Sequence, residues 1–219
     1  MTYSFNLVDE PWVPCIASNG SLVERSLRDA LAQAHVIREL GGETPLITAA
    51  LYRLLLAVLH RVFGPEVEED PSPWIELWEY GRWDVEKLDV YWAKWRHRFD
   101  LFDPERPFYQ RAHPRANEKS IVSLLYEFAS GNNPVLFDHH TEEIGAALRP
   151  AEAARAVITA HAFGLGGLSP VSGERFTDGP AARGITFLIK GDTLFQTLVL
   201  NLLPYPASDI FYTDKAKDR

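Results

Sequence analysis

Between Thr44 and Gly64 the chain reads T-P-L-ITAALYRLLLAVLHRVF-G, a run apolar on nearly every side of a helix and marked at both ends. Thr44 supplies an N-cap oxygen, and Pro45 has the fixed φ that suits a first helical position. Gly64-Pro65 then stops the run. A helix apolar nearly all round is expected in the core, with the rest of the fold packed around it. Arg53, His60 and Arg61 interrupt the stretch from Leu46 to Phe63, which therefore reads as a core helix and not as a membrane span.

Upstream, β-prone pieces at Phe5 to Leu7 and Trp12 to Ile16 are followed by Asn19-Gly20 and then Leu22-Val23. Asn-Gly between apolar runs signals a β-hairpin, because both residues accept positive φ. Ser26 then caps an expected helix from Leu27 to about Leu40, with Leu27, Ala30, Leu31, Ala34 and Ile37 on one face. Beyond the core helix, further helices are expected near Pro73 to Tyr80 and Asp84 to Phe99. From Asp100 onward the text turns to loops rich in Pro, Asn and His. These are broken by a short helix from Ser120 to Ala129, a helix opened by Pro150, a strand from Ile185 to Ile189, and an apolar helix capped by Asp192 and running through Leu203. The expected class is α+β: a β-hairpin start, a helical middle and a loop-rich second half.

Charge narrows the choice of partner. The chain has 22 Lys and Arg against 30 Asp and Glu, a formal charge of −8, which argues against a basic coat for long DNA tracts. Residues 1–110 hold 11 basic and 18 acidic side chains, whereas the remainder holds 11 and 12, so an anionic partner is better tolerated by the second half. Cys15 is the only cysteine, which excludes an intramolecular disulfide and a cysteine-built zinc site and fits a reducing, cytoplasmic setting.

Few motifs carry chemistry. Gly164-Leu165-Gly166-Gly167 follows a helix where a dinucleotide fingerprint would follow a strand, and position 169 is serine, so no nucleotide cofactor is expected. Its plain reading is a helix C-terminus; its functional reading is a backbone that approaches a phosphate or a groove closely. Asp138-His139-His140 resembles the metal motif of DHH phosphoesterases, but no aspartate motifs on earlier strands accompany it. His161 reads as a core or cap histidine, and Cys15 has no catalytic surroundings. Arg111, Arg115, Lys119, Arg149, Arg155, Arg175, Arg183 and Lys190 read either as solvated surface or as a few phosphate contacts beside a reading loop.

Five blocks in order carry a resemblance: FNLVDEPWVP near the start, RPFYQ at Arg106 to Gln110, NNPVLFDHHT at Asn132 to Thr141, AFGLGGL at Ala162 to Leu168, and RGITFLIKGDTLFQTLVLNLLP at Arg183 to Pro204. Together they resemble the CasA family, the large subunits of the type I-E CRISPR surveillance complex, Cascade. The resemblance implies a non-catalytic subunit that recognises the protospacer-adjacent motif in double-stranded target DNA. It also implies help in opening the duplex for CRISPR RNA and recruitment of the Cas3 nuclease-helicase, with the other Cascade subunits as partners and no membrane. The family's groove-reading glycine loop matches Gly164, Leu165, Gly166 and Gly167. Its loop that docks near the 5′ handle of the guide and contributes to target recognition matches Asn132 to His140, which makes Asn132, Asn133, Leu136, Phe137, Asp138 and His139 expected DNA-binding residues beside the glycine loop.

Two departures stand out. Thr141-Glu142-Glu143 occupies the place of a cysteine pair present in some members, so no zinc is expected and no cofactor is implied. Members also run to about twice this length, so residues 1–219 are expected to form an N-terminal domain, without the family's C-terminal helical bundle. The alternatives from other classes are a DHH-like metal-dependent phosphoesterase and a purely structural scaffold subunit.

Overall fold

The computed structural model describes residues 3–64, 72–111, 114, 120–126, 147–168 and 175–203, with backbone only at 167–168 and 175–176. The fold is α+β. Strands β1 (Val13–Ala17) and β2 (Leu22–Arg25) form an antiparallel hairpin in which Val13 faces Arg25 and Ile16 faces Leu22. Gly20 closes it at φ 85°, the left-handed region that the Asn-Gly signal anticipates. A third strand, β3 (Ile37–Leu40), pairs antiparallel on the other side of β1, giving the order β2-β1-β3.

That third strand corrects the expected helix from Leu27 to Leu40. Ser26 does cap it, accepting a bond from the Asp29 amide, but helix α1 covers only Leu27–Ala32. A turn at 33–36 follows, and Ile37–Leu40 joins the sheet, where the Leu40 amide also donates to the Tyr52 hydroxyl at 3.3 Å. The apolar spacing was a correct guide to burial, since Leu27, Ala30, Leu31, Ala34 and Ile37 are all buried. It was a poor guide to conformation, because an inward residue three places on suits a strand leaving a turn as well as a helix.

Helix α2 (Pro45–Phe63) follows its sequence signals closely. The Thr44 hydroxyl accepts from the Ile47 amide at 3.2 Å, Pro45 opens the first turn, and Gly64 ends it at φ 40°. It is the one helix among the described residues long and apolar enough to cross a membrane; it buries one side, from Ile47 to Leu59, against the core, while Leu46, Arg53, Ala57 and Arg61 are exposed, so it is not enclosed all round as expected. Leu51, Leu55 and Leu59 are fully enclosed, each contributing about 1.5–3 kcal/mol by burial. Around it lie β3, α4 (Val85–Trp95), α5 (Pro150–Phe163) and α6 (Leu194–Asn201), while α3 (Ser72–Tyr80) rests on α6 through a bond from the Trp74 indole to the Val199 carbonyl.

Asp84 caps α4, which passes into a 3₁₀ turn at Arg96–Arg98. Ser120 starts a 3₁₀ turn, Ile121–Leu124, in place of the expected α-helix; residues 127–129 lie outside the described set. Thr193, not Asp192, caps α6, which ends at Asn201. The expected strand Ile185 to Ile189 belongs to no sheet among the described residues. Leu188 packs on the core, whereas Ile185 and Phe187 are 82% and 84% exposed. Alternating side chains favour a strand, but a ladder also requires a neighbouring backbone.

Candidate nucleic-acid interface

Helix α5 delivers the glycine turn. Pro150 fits the first turn, and the Glu152 carboxylate accepts from the Arg149 amide at 2.8 Å, a bond that holds the Glu152 pKa below its usual value. Ala151, Ala154, Ile158 and Ala162 bury one side of the helix in the core. The helix ends at Gly164, whose amide donates to the Ala160 carbonyl at 2.8 Å. Gly164 has an ordinary φ of −56°, so conformational freedom is not why glycine stands there. A Cβ at this position would lie 2.5 Å from the Ala160 oxygen, and that lack of space is the reason.

The turn is tied down from a distant stretch of chain. Gly167–Leu168 (β4) pairs antiparallel with Arg175–Phe176 (β5). The Gly166 amide donates to the Asp178 carboxylate at 2.6 Å, the Gly179 amide to the Gly164 carbonyl at 2.7 Å, and the Ala181 amide to the Ala162 carbonyl at 2.9 Å. Gly179 is itself obligatory by space, since a Cβ there would sit 2.6 Å from the Ala162 oxygen. Asp178 and Gly179 were not legible as site residues, because nothing local marks a residue that closes a turn from 12 or more positions away.

This bonding revises what the glycines offer. The Gly166 N–H, one of the backbone donors a phosphate could have used, is taken by Asp178, whose carboxylate also pairs with Arg183 at 2.5 Å. What projects instead is Leu165, 76% exposed between two glycines. The turn is therefore a narrow apolar tip on a fixed base.

The basic residues divide sharply. Arg155 is 1% exposed: its Nη1 donates to the Trp12 carbonyl at 2.6 Å and to Glu24 at 2.9 Å, and its Nη2 lies 2.6 Å from Glu43 as an ion pair without hydrogen-bond alignment. The possible reading of Arg155 as a phosphate contact is therefore corrected; it braces the first hairpin against α5. Arg149 pairs with Glu152, and Lys190 pairs with Glu39. Arg111 lies in the described chain, and the side chain of Arg175 is not described. Arg115, Lys119, Asn132, Asn133, Leu136, Phe137, Asp138, His139 and His140 lie outside the described residues.

The remaining sequence candidates also find their places. His161 is exposed on the last turn of α5, its Nε2 2.6 Å from the Tyr109 carbonyl. Cys15 is enclosed in β1, and burial pushes its thiol up to about 12, which keeps it protonated and inert. Among the described residues no group of three or more His, Cys, Asp or Glu is placed to hold a metal ion. FNLVDEPW is structural: Leu7, Val8 and Trp12 are buried, and the Trp12 indole donates to the Leu7 carbonyl at 2.9 Å.

With this geometry in hand, comparison with known proteins is specific. The family model for CRISPR-associated protein Cse1 matches residues 6–218. The chain is 44% identical over 208 residues to a CasA/Cse1 protein of Thermus thermophilus, spanning 94% of this chain and 41% of that one. It superposes on a crystal structure of Thermus thermophilus CasA with a TM-score of 0.79 at 36% identity, over 94% of this chain and 41% of the other. Cse1 from Acidimicrobium ferrooxidans gives 0.74 at 36% identity, over 93% and 39%. A chain of a CRISPR RNA-guided surveillance complex gives 0.81 at 28% identity, over 93% and 44%. The chain thus spans less than half the length of each of these relatives.

Proposed function

The chain belongs to the CRISPR-associated Cse1 (CasA) family, and from that premise we propose that it is the N-terminal part of a non-catalytic subunit of a cytoplasmic, RNA-guided surveillance complex. In this reading the subunit recognises the protospacer-adjacent motif in duplex DNA with the turn Gly164 to Gly167. It aids opening of the duplex for guide pairing and recruits the Cas3 nuclease-helicase. The segment Asn132 to His140 docks near the 5′ handle of the guide RNA, beside the other subunits, and contributes to recognition of the target DNA.

The observation that carries the reading is the exposed Leu165 on a turn pinned by Asp178 and Gly179. The minor groove is only about 6 Å wide, and apolar side chains inserted there act as wedges between base steps. Flanking glycines keep the approach free of side chains, and a tied base keeps the tip from folding away. A groove read in this way supplies little base identity, which suits a complex whose sequence specificity rests on guide pairing.

The test is a gel shift with Cascade reconstituted around the full-length protein carrying Gly166→Asp or Gly167→Asp. Loss of discrimination between correct and incorrect motifs is expected. Unchanged discrimination in an intact complex would make the chain a scaffold. A manganese titration with Asp138→Ala separates the phosphoesterase alternative, which alone requires metal-dependent hydrolysis lost in that variant.

A further inference from the structure

A second surface lies beside the glycine turn, assembled from parts of the sequence that carry no nucleic-acid signal. It is a cleft of about 290 Å³ between α2, α4 and the loop 104–109, and Arg61, Arg98 and Arg106 line it together with Tyr91, Trp95 and Tyr109. No ion pair between described residues engages any of the three arginines. Asp103 and Glu105 are the acidic side chains next to Arg106 in sequence. Asp103 is occupied by its own backbone, accepting from the amides of Glu105 and Arg106 at 2.9 and 2.7 Å, and those bonds hold its pKa low.

An aromatic file runs from the core to this surface. Phe99 stacks on Phe108 at 5.4 Å, Phe108 on Tyr109 at 4.4 Å and 17°, and Tyr109 meets His161 at 4.9 Å. The first two rings are buried, Tyr109 is 46% exposed and His161 is exposed, so the file ends in a Tyr109–His161 pair open to solvent. Tyr109 holds a φ of 54°, unusual for a bulky residue, and the short contact between its carbonyl and His161 fixes it there. His161 sits three residues before Gly164, so the aromatic platform and the glycine turn hang on the same end of α5.

Guanidinium groups grouped around an exposed, rigidly held ring are the combination that binds single-stranded nucleic acid: cations follow the phosphates and a base stacks on the ring. We infer that this cleft holds unpaired nucleotides, with one base against the exposed Tyr109–His161 pair and the flanking phosphates on Arg61, Arg98 and Arg106. This rests on the proposed role in duplex DNA and extends it: a tip that engages the duplex at Leu165 would have a receptor for unpaired strand beside it.

The experiment uses the full-length protein, with fluorescein-labelled oligothymidylate as the probe, followed by anisotropy across a salt series. Arg98→Ala with Arg106→Ala is expected to weaken binding at least tenfold at low salt and to flatten the slope of log affinity against log salt by about 1.4. Tyr109→Gly keeps the backbone conformation and removes the ring; it is expected to weaken binding at least fivefold, while Tyr109→Phe retains it. The paired lysine variant, Arg98→Lys with Arg106→Lys, controls for folding and should retain most of the salt slope. Wild-type affinity and slope in the alanine and glycine variants would overturn the inference. So would loss of a complex subunit with oligothymidylate binding intact, which would make the cleft a protein interface. Failure here with the Gly166→Asp effect present removes only this inference; the reverse pattern removes only the reading of the glycine turn.

Discussion

Two of the antiparallel strand pairs among the described residues, β1–β2 and β4–β5, use glycine for opposite reasons. In β1 and β2 the closing Gly20 has nothing within 4 Å of a would-be Cβ, yet it sits at φ 85°. It is needed for its backbone conformation alone. At the base of β4 and β5, Gly164 has an unremarkable φ, but a Cβ there would strike the Ala160 carbonyl at 2.5 Å. It is needed for space alone. The first pair is held by its own turn and by the core; the second is held by bonds from Asp178, Gly179 and Ala181. A turn whose restraints lie outside itself can present a tip such as Leu165 without needing a core beneath it.

Helix α5 joins the two pairs, because Arg155 reaches Glu24 on β2 and the Trp12 carbonyl, while the far end of the same helix carries the glycine turn. The largest expected effect comes from cutting that joint. Arg155→Met should lower stability by about 3 kcal/mol in chemical denaturation, since Glu24, Glu43 and the Trp12 carbonyl lose their cation together. A loss below about 1 kcal/mol would mean that the pairs are held together by apolar packing alone.

The next prediction separates the two glycines. Asparagine tolerates positive φ, so Gly20→Asn should cost only a few tenths of a kcal/mol, whereas Gly164→Asn should cost about 2 kcal/mol by forcing the α5 terminus apart. Thermal melts of the two variants check this, and equal effects would break the distinction. Smaller still, Asp178→Ala should leave the melting temperature within a few degrees of wild type while accelerating amide exchange at Gly166, whose bond to Asp178 it removes. No change in exchange at Gly166 would show the turn to be held elsewhere.

The same contrast explains what could be read in advance. Asn19-Gly20, Thr44-Pro45, Gly64 and Pro150 each act on their immediate neighbours, and the elements they mark are where the sequence placed them. Ile37 to Leu40 and Ile185 to Ile189 depend on whether a partner strand is present. One segment found a partner in β1; the other has none among the described residues. At the site, the glycine block was visible as a motif, but Asp178 holding Gly166 was not. Arg155 had the composition of a phosphate contact and the environment of a core brace. Dividing the charge by halves of the sequence likewise hid Arg61, Arg98 and Arg106, which lie in the more acidic half and converge only in space.

The central claim is that the pinned turn offers Leu165 to a groove, and Leu165 itself tests it with least disturbance, being exposed and remote from the core. The direct measurement is the ratio of affinities for duplexes with correct and incorrect motifs, taken with the full-length Leu165→Asp protein assembled in its complex with guide RNA. The account predicts a fall in that ratio of about tenfold, of the size one misplaced contact in a nucleic-acid interface produces, with the complex intact. An unchanged ratio in an intact complex would contradict it.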